Sequence, residues 1–593
     1  MKSSLGLLVL AGLGQASASS HACADPVQAP HDSCWKKIDW DRLNSTVSGK
    51  LIRNLPPAVS CYPGPLYSKQ ECEYVDEQWS NTTFQMLEPI GYCYPVDDSC
   101  PVVLSGAQAG DCRLGSSPVY TVNATEPEEL AAGIAFASKN NVRLVVRNTG
   151  HDILGRSTGY GSLQIWMRYL RKGIIHHKSF ESRCAKSDWK GAAFTVAGGY
   201  VWDDVYEEAF ARDLVVVGGG DPTVGVIGGY IQGGGHSPAM RDFGLATDQI
   251  LEAQVILADG SIVTANPCSH PDLFTAIRGG GGGTYGVVIS LTIKAYPSTP
   301  MVAHSLVLSS PTDQNTSQLL DAITDLYEAY PALNDYGFSG YGSWSILDPT
   351  TTYGNSSAGY QHALAARNKS LSEAKATLAP VLKKLSAYRS VAVSVNWFEF
   401  PSYAAYYRTL SGVHQQTGSP EMALASRMFD KTALTANHTS LRSLIGTLAG
   451  APAETTINQV ILVGGGKVLE KPEYSGTHPA WRSTYLVHEV ARGWLESMGE
   501  AYGNSVKKDI TYNKYAAMRR FTPGMGSYMN EADINDPWWQ EDFYGAANYK
   551  RLLAIKNKYD PDGLFYCPTC VESPSWSEHD LPGLKFGPLC SRK

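Results

Sequence analysis

The residues best suited to chemistry lie in one turn, Val145-Val146-Arg147-Asn148-Thr149-Gly150-His151-Asp152-Ile153-Leu154-Gly155-Arg156-Ser157. The apolar run from Val142 to Val146 predicts a strand, and the glycines after it cannot continue that strand. Gly150 and Gly155 permit positive φ and close approach of the backbone to a ligand. Exposed amides together with Arg147 and Arg156 suit an anionic pyrophosphate. His151 stands at the tip, with an imidazole nitrogen open to alkylation. The alternative is an ordinary surface loop with a solvent-facing histidine.

Two more glycine-rich segments accompany it. One runs Gly218-Gly219-Gly220-Asp221-Pro222-Thr223-Val224-Gly225-Val226-Ile227-Gly228-Gly229-Tyr230-Ile231-Gln232-Gly233-Gly234-Gly235-His236, and the other spans Arg278 to Gly286. Together they offer many backbone amides along an extended ligand, more than a single phosphate needs. Two textual matches point elsewhere and lack their context. Gly155-Arg156-Ser157-Thr158-Gly159 reads as G-x-S-x-G, but the strand ends near Val146 and no helix starts after Gly159, so a serine hydrolase is disfavoured. Gly281-Gly282-Gly283-Thr284-Tyr285-Gly286 reads as G-x-G-x-x-G. Its order is helix, glycines, strand, the reverse of a dinucleotide fingerprint.

The elements that must hold these turns alternate. A strand is expected at Val119–Val122. Thr125-Glu126-Pro127-Glu128 reads as a capping box opening a helix with Leu130, Ile134 and Ala137 on one face. Strands at Phe194–Ala197 and Leu214–Val217 flank a helix from Val201 to Arg212. Gln254–Leu257 and Ser261–Thr264 form a hairpin about Asp259-Gly260. A helix near Pro271–Arg278 leads to a strand Val287–Ile293. Residues 300 to 520 mix strands (Met301–Leu308, Val391–Trp397, Val460–Gly464) with amphipathic helices at Gln318–Tyr330, Leu371–Leu385 and Thr484–Met498.

A chain of 593 residues with 43% hydrophobic content supports roughly two to four domains. Its net charge of −7 and lack of a basic stripe argue against nucleic acid as a partner. Met1-Lys2-Ser3-Ser4, the apolar run Leu5–Leu13 and Ala16-Ser17-Ala18 read as a cleavable signal peptide, too short to span a membrane. N-x-S/T acceptors at Asn44, Asn81, Asn123, Asn315, Asn355, Asn368 and Asn437 agree with secretion, as do seven cysteines between Cys23 and Cys112. Cys567-x-x-Cys570 lacks the second pair of a zinc site, so a structural disulfide with another cysteine is expected, and no metal is expected.

The three glycine-rich segments resemble the FAD-binding domain of the vanillyl-alcohol oxidase/p-cresol methylhydroxylase flavoprotein family, in its berberine-bridge-enzyme-like branch. The resemblance covers roughly 115 to 300. It returns in Tyr528-Met529-Asn530-Glu531, Phe543-Tyr544-Gly545, Asn548-Tyr549 and Lys558-Tyr559-Asp560-Pro561-Asp562-Gly563-Leu564-Phe565. It implies FAD as cofactor, with a bond from His151 to the flavin 8α-methyl. Doubly linked members carry a cysteine where this chain has Asp221, so a single link is expected. Val224 falls where oxygen-reactive members carry a small residue near flavin C4a, which favours an oxidase. In the first turn the resemblance implies cofactor contacts from Arg147, Asn148, Thr149, Gly150, Asp152, Gly155, Arg156 and Ser157. In the second it implies Gly220, Asp221, Val224, Gly225, Gly228, Gly229, Gly234 and His236, and beyond these Asp248, Gly286, Val288 and Asn530. Asp248 is read as cofactor support. His236 either lines the site or makes a structural hydrogen bond. Tyr528 aligns with a tyrosine base, and Glu531 stands where carbohydrate-oxidising members read a second tyrosine, making it the alternative base. For Tyr528 the plain alternative is aromatic packing, and for Asn530 a cap.

The expected fold class is α+β: a PCMH-type FAD-binding domain of two α/β subdomains, plus a substrate domain with an antiparallel sheet covered by helices. The expected divisions are a signal peptide (1–18), a Cys-rich extension (19–115), the FAD-binding domain (116–299), the substrate domain (300–525), a berberine-bridge-like segment (526–572) and an irregular tail (573–593). The expected protein is a secreted monomeric oxidase. It passes hydride from an alcohol, sugar or secondary-metabolite C–H to flavin N5, with O2 as acceptor and a small molecule as substrate. A second reading is an FAD-dependent cyclisation or desaturation enzyme of secondary metabolism. A third, a non-catalytic secreted glycoprotein, predicts a colourless protein.

Overall fold

The computed structural model describes residues 35–591 apart from 95–96, 98, 104–109, 183, 311–315, 347–352, 355, 412–420, 452–453 and 579–583. The expected signal peptide, Cys23 and Cys34 lie outside the described residues, as do Asn315 and Asn355.

The first layer is a four-stranded sheet in the order Leu51–Arg53, Tyr120–Asn123, Leu163–Trp166, Leu144–Arg147. The last three strands are parallel, while Leu51–Arg53 pairs antiparallel with Tyr120–Asn123. The Cys-rich extension therefore supplies an edge strand to this sheet, and the Cys61–Cys72 and Cys100–Cys112 disulfides tie its loops. The helix Pro127–Lys139 covers the sheet with Leu130, Ile134 and Ala137 buried, a spacing that places all three on one stripe. Its N-terminus is closed by Glu129, one residue beyond the acid of the expected box. That carboxylate accepts from the N–H groups of Thr125 and Glu126 and pairs with Lys50.

The second layer is an antiparallel sheet ordered Ile174–His177, Ala193–Ala197, Val287–Lys294, Ile250–Ile256, Ile262–Ala265. The expected hairpin is its last pair, and a Cys184–Cys268 disulfide joins two of its loops. Val288 is a buried core residue of the central strand.

The third is a seven-stranded antiparallel sheet: Ala392–Phe400, Met301–Ser309, Gly359–Arg367, Ser339–Ser345, Thr456–Leu462, Thr484–Gly493, Met422–Asp430. Alternate residues point to opposite faces. Val302, Leu306, Leu462, Leu486 and Val490 join the core formed with the helices Ser317–Tyr336, Leu371–Leu385 and His438–Ala449. Ala303, Ala365, Met428, Ile461 and Val487 join the core shared with the first two layers. The helix expected at Thr484–Met498 is instead the strand Thr484–Gly493, followed by a short 3-10 turn at Glu496–Met498. That strand is buried on both faces, so its residues show no apolar/polar alternation to distinguish strand from helix.

The C-terminal segment returns to the first two layers. In the helix Ala546–Tyr559, the buried Lys556 ammonium donates to the carbonyls of Thr284 and Phe565 and pairs with Asp560, fastening the third glycine-rich segment. Cys567 and Cys570 are bonded to each other. The tail is not wholly irregular: Trp576–Glu578 pairs with Leu589–Ser591, and Arg143 bonds Glu578 and the Gly587 carbonyl.

Candidate active site

His151 sits where the strand Leu144–Arg147 releases the chain, with Gly150 at φ +85° and Gly155 at φ +73°. The loop is held from below by Arg147. Arg147 is fully buried, and its guanidinium donates to the carbonyls of Gln85, Glu88, Pro89, Gly91 and Thr149. Four of these acceptors belong to the Cys-rich extension, so the guanidinium clamps that extension to the turn. The Cys93 N–H donates to the Gly150 carbonyl, and Gln164 donates to the Pro89 carbonyl, fixing the same contact. Arg156 is likewise engaged: Asp152 accepts from its guanidinium and its backbone N–H, closing the loop on itself. Ser157 and Thr149 lie in this loop, Thr149 buried.

His151 Nε2 lies 2.7 Å from Thr223 Oγ1, which joins the first glycine-rich segment to the second. Asp221 Oδ1 accepts from the Thr223 N–H and hydroxyl. Burial, with Arg147 nearby, lowers the His151 imidazole below its ordinary value against the opposing pull of Asp221. A side chain at Gly225 would strike Asn148, so this close crossing needs glycine. Gly220 is bound through its carbonyl to the Tyr407 hydroxyl, and Val224 is half-buried beside it. Asn530 gathers the far side. Its amide donates to the Gly229 and Tyr230 carbonyls and to the Tyr528 hydroxyl, and it accepts from Arg156. That role exceeds a cap. Gly234, at φ +122°, lies against Tyr528 and Trp481, and Gly286 turns into the strand Val287–Lys294 at φ +150°.

Beyond these turns lies a cluster of titratable groups. His236 Nδ1 is 2.8 Å from the Tyr341 hydroxyl, and its Nε2 is 3.1 Å from both Glu531 oxygens. The Glu531 carboxyl is hydrogen-bonded to Glu489, a buried residue of the strand Thr484–Gly493. Burial, and then the Glu531 charge, push Glu489 far above the usual carboxylate range. Burial works to raise Glu531 too, but His236 and the Glu489 hydrogen bond outweigh it and hold Glu531 below that range. Opposite shifts within one hydrogen-bonded pair are the pattern of two carboxyls that share a proton. Burial and the Glu531 carboxylate also raise the Tyr528 phenol well above its ordinary value. The Tyr528 ring meets His236 and Trp481 edge to face. Tyr94, from the Cys-rich extension, is within electrostatic reach of Glu531, Asp221 and Glu489.

Asp248 lies to one side. Arg482 grips both its oxygens at 2.8 and 2.9 Å, and it caps the turn at Leu245. It joins the third sheet's approach to the second layer and has no proton-transfer geometry.

Glu489, Tyr341, Thr223 and Tyr94 escaped the sequence reading. Glu489 alone left a signal, as a carboxylate inside Tyr485-Leu486-Val487-His488-Glu489-Val490, where an apolar strand otherwise excludes charge. Tyr341, Thr223 and Tyr94 are ordinary residues until folding brings them to His236, His151 and Glu531.

The glycine-lined turns fit an extended anionic cofactor. Among the described residues the buried Asn148 Oδ1 has no partner. A Cβ on Gly229 would find nothing nearer than 4.0 Å, so the backbone there faces open space. Residues 118–266 match the family model described as FAD binding domain, and 527–572 match the one described as Berberine and berberine like. An FAD-linked oxidoreductase of Hypomyces subiculosus is 40% identical over 95% of this chain and 90% of its own length. The bifunctional decalin synthase of Penicillium decumbens is 32% identical over 97% of each. The crystal structure of the VAO-type flavoprotein MtVAO713 from Myceliophthora thermophila covers 96% of this chain and 100% of its own, at 39% identity and a TM-score of 0.91. Fold and site define an FAD-dependent oxidoreductase of VAO type. The chain belongs to the FAD-linked oxidoreductases of the berberine-bridge-enzyme-like family.

Proposed function

We propose that the protein is a secreted oxidase whose FAD is bonded once, through His151, and which oxidises a substrate C–H bearing a neighbouring O–H or N–H, with O2 as acceptor. The bound FAD supplies the hydride acceptor and returns its electrons to dioxygen as hydrogen peroxide. The protein supplies the proton chemistry, and the observation that carries the reading is the Glu489–Glu531 pair set against His236 and Tyr528. Glu531, ionised, takes the substrate proton. Glu489, protonated, donates to it and keeps it ionised. This assignment prefers Glu531 to Tyr528 as base, because a phenol with a raised pKa donates hydrogen bonds and does not accept protons at neutral pH. Tyr528, His236 and Tyr341 orient the polar end of the substrate, while Trp481 closes the site against water. A positioned base contributes about 10²- to 10⁴-fold. The half-buried Val224, small and next to the Asp221–Thr223 turn, is consistent with access of O2 to the cofactor. The four disulfides among the described residues agree with an oxidising compartment. Among the described residues no helix is long and apolar enough to cross a membrane.

A second reading, oxidation that drives ring closure or desaturation of a secondary metabolite, is favoured by the similarity to the decalin synthase. The same carboxyl pair serves either outcome. Adding a panel of alcohols, sugars and polyketide-like substrates anaerobically, then admitting O2, distinguishes them. Bleaching followed by stoichiometric peroxide and a carbonyl product supports the oxidase. Bleaching with a cyclised or desaturated product supports the second reading, and no bleaching by any candidate while dithionite bleaches the protein counts against both for these substrate classes.

A further inference from the structure

We propose that Thr223 and Asp221 form a relay that fixes the tautomer of His151 and takes up its proton as the covalent bond to FAD forms. The inference rests on the single-link reading above and gives Asp221 a task of its own, beyond occupying a position where doubly linked relatives place cysteine.

The argument begins with one hydrogen. The Thr223 hydroxyl has a single proton, and Asp221 Oδ1, 2.7 Å away and also bonded to the Thr223 N–H at 2.8 Å, accepts it. Thr223 Oγ1 can then only accept from His151, so the imidazole carries its proton on Nε2, at 2.7 Å. Nδ1 is left with its lone pair, and no described residue hydrogen-bonds to it. Asp221 and Thr223 are both buried, at 7% and 3% exposure, so the relay is shielded from water. Burial and Arg147 also keep the imidazole neutral, the form that is nucleophilic.

The chemistry balances with dioxygen as oxidant. The Nδ1 lone pair forms a C–N bond to the 8α carbon while a methyl C–H bond breaks. The ring acquires positive charge, which is relieved as the Nε2 proton passes to Thr223 and the Thr223 proton to Asp221. The two electrons released enter the isoalloxazine and leave to dioxygen with two protons, giving hydrogen peroxide. The methyl hydrogen leaves as a proton to solvent, and Asp221 then releases the histidine proton to solvent and returns to its carboxylate; the two protons taken up with the two electrons by O2 balance these. Asp221 and Thr223 act through His151 and are positioning residues for the attachment step.

The test reads attachment rather than turnover. Wild type, Thr223→Val, Thr223→Ser and Asp221→Asn are purified, assayed for total FAD, incubated with excess FAD in air, and sampled over time for yellow colour retained after acid precipitation. The expected result is that Thr223→Val and Asp221→Asn bind FAD but attach it at least tenfold more slowly, while Thr223→Ser stays near wild type. Attachment at the wild-type rate in Thr223→Val and Asp221→Asn overturns the relay and leaves the single-link reading standing. Loss of all FAD binding in both, with Thr223→Ser intact, assigns the pair a loop-shaping task and also overturns it. Release of all colour from the wild type overturns the single-link reading itself.

Discussion

The proposed choice of Glu531 as base rests on the proton inventory of the cluster. His236, Glu531 and Glu489 form one connected chain of hydrogen bonds, and the Tyr528 ring meets His236 edge to face with its phenol pKa raised. Glu531→Gln removes the group that accepts the substrate proton, so kcat should fall by about 10²- to 10⁴-fold while the bound-flavin spectrum persists. Stopped-flow bleaching measures it, and an unchanged rate would exclude Glu531 as base. Glu489→Leu tests the partner through pH. A depressed pKa means that activity is lost as pH falls through it, and the Glu489 hydrogen bond is one cause of the depression. Without that donor the Glu531 carboxyl should titrate higher. The acid limb of the kcat/KM profile should therefore move to higher pH. A limb that stays in place would contradict the shared-proton account.

At the level of elements, the site depends on turns whose neighbours lie far away in sequence. The strand Leu144–Arg147 was legible as an apolar run, and so was the break after it. The destination of Arg147 was not, because its acceptors are backbone carbonyls of 85–91, and carbonyls leave no mark in a sequence. Arg147→Met should strand those buried acceptors and cost on the order of 3 kcal/mol, read as a lower denaturation midpoint. A midpoint equal to wild type would show that the extension does not depend on this clamp. Helices with one apolar stripe were legible, as Leu371–Leu385 and Ser317–Tyr336 show. The strand Thr484–Gly493 was not, since a strand buried on both faces has no period to read. The candidate site was legible where glycine marks a close crossing, as at Gly225, or a positive φ, as at Gly234. It was hidden where a residue of ordinary type, such as Thr223 or Tyr341, acquires its role from a partner about 70 to 105 residues away.

In the whole molecule, two halves close on the glycine-rich turns, and each contributes to the carboxyl cluster. Glu489 and Tyr341 come from the seven-stranded sheet, His236 from the FAD-binding half and Glu531 from the returning C-terminal segment. The halves are joined by the Arg482–Asp248 pair, largely shielded from solvent on both sides. Arg482→Ala leaves a buried carboxylate without its main partner, a change worth about 3–5 kcal/mol for such pairs. Arg278, 3.8 Å from the same carboxylate, should recover part of that. Thermal unfolding monitored by flavin fluorescence should show a lower midpoint, and no change would mean that the pair is not a clasp.

The attachment of the cofactor is the claim on which the rest turns, and peptide mapping of the proteolysed holoprotein reads it directly. The account predicts that the peptide containing His151 carries the mass of one FAD and that the peptide containing Asp221 is unmodified. Fully FAD-loaded protein whose His151 peptide has its bare mass would contradict it.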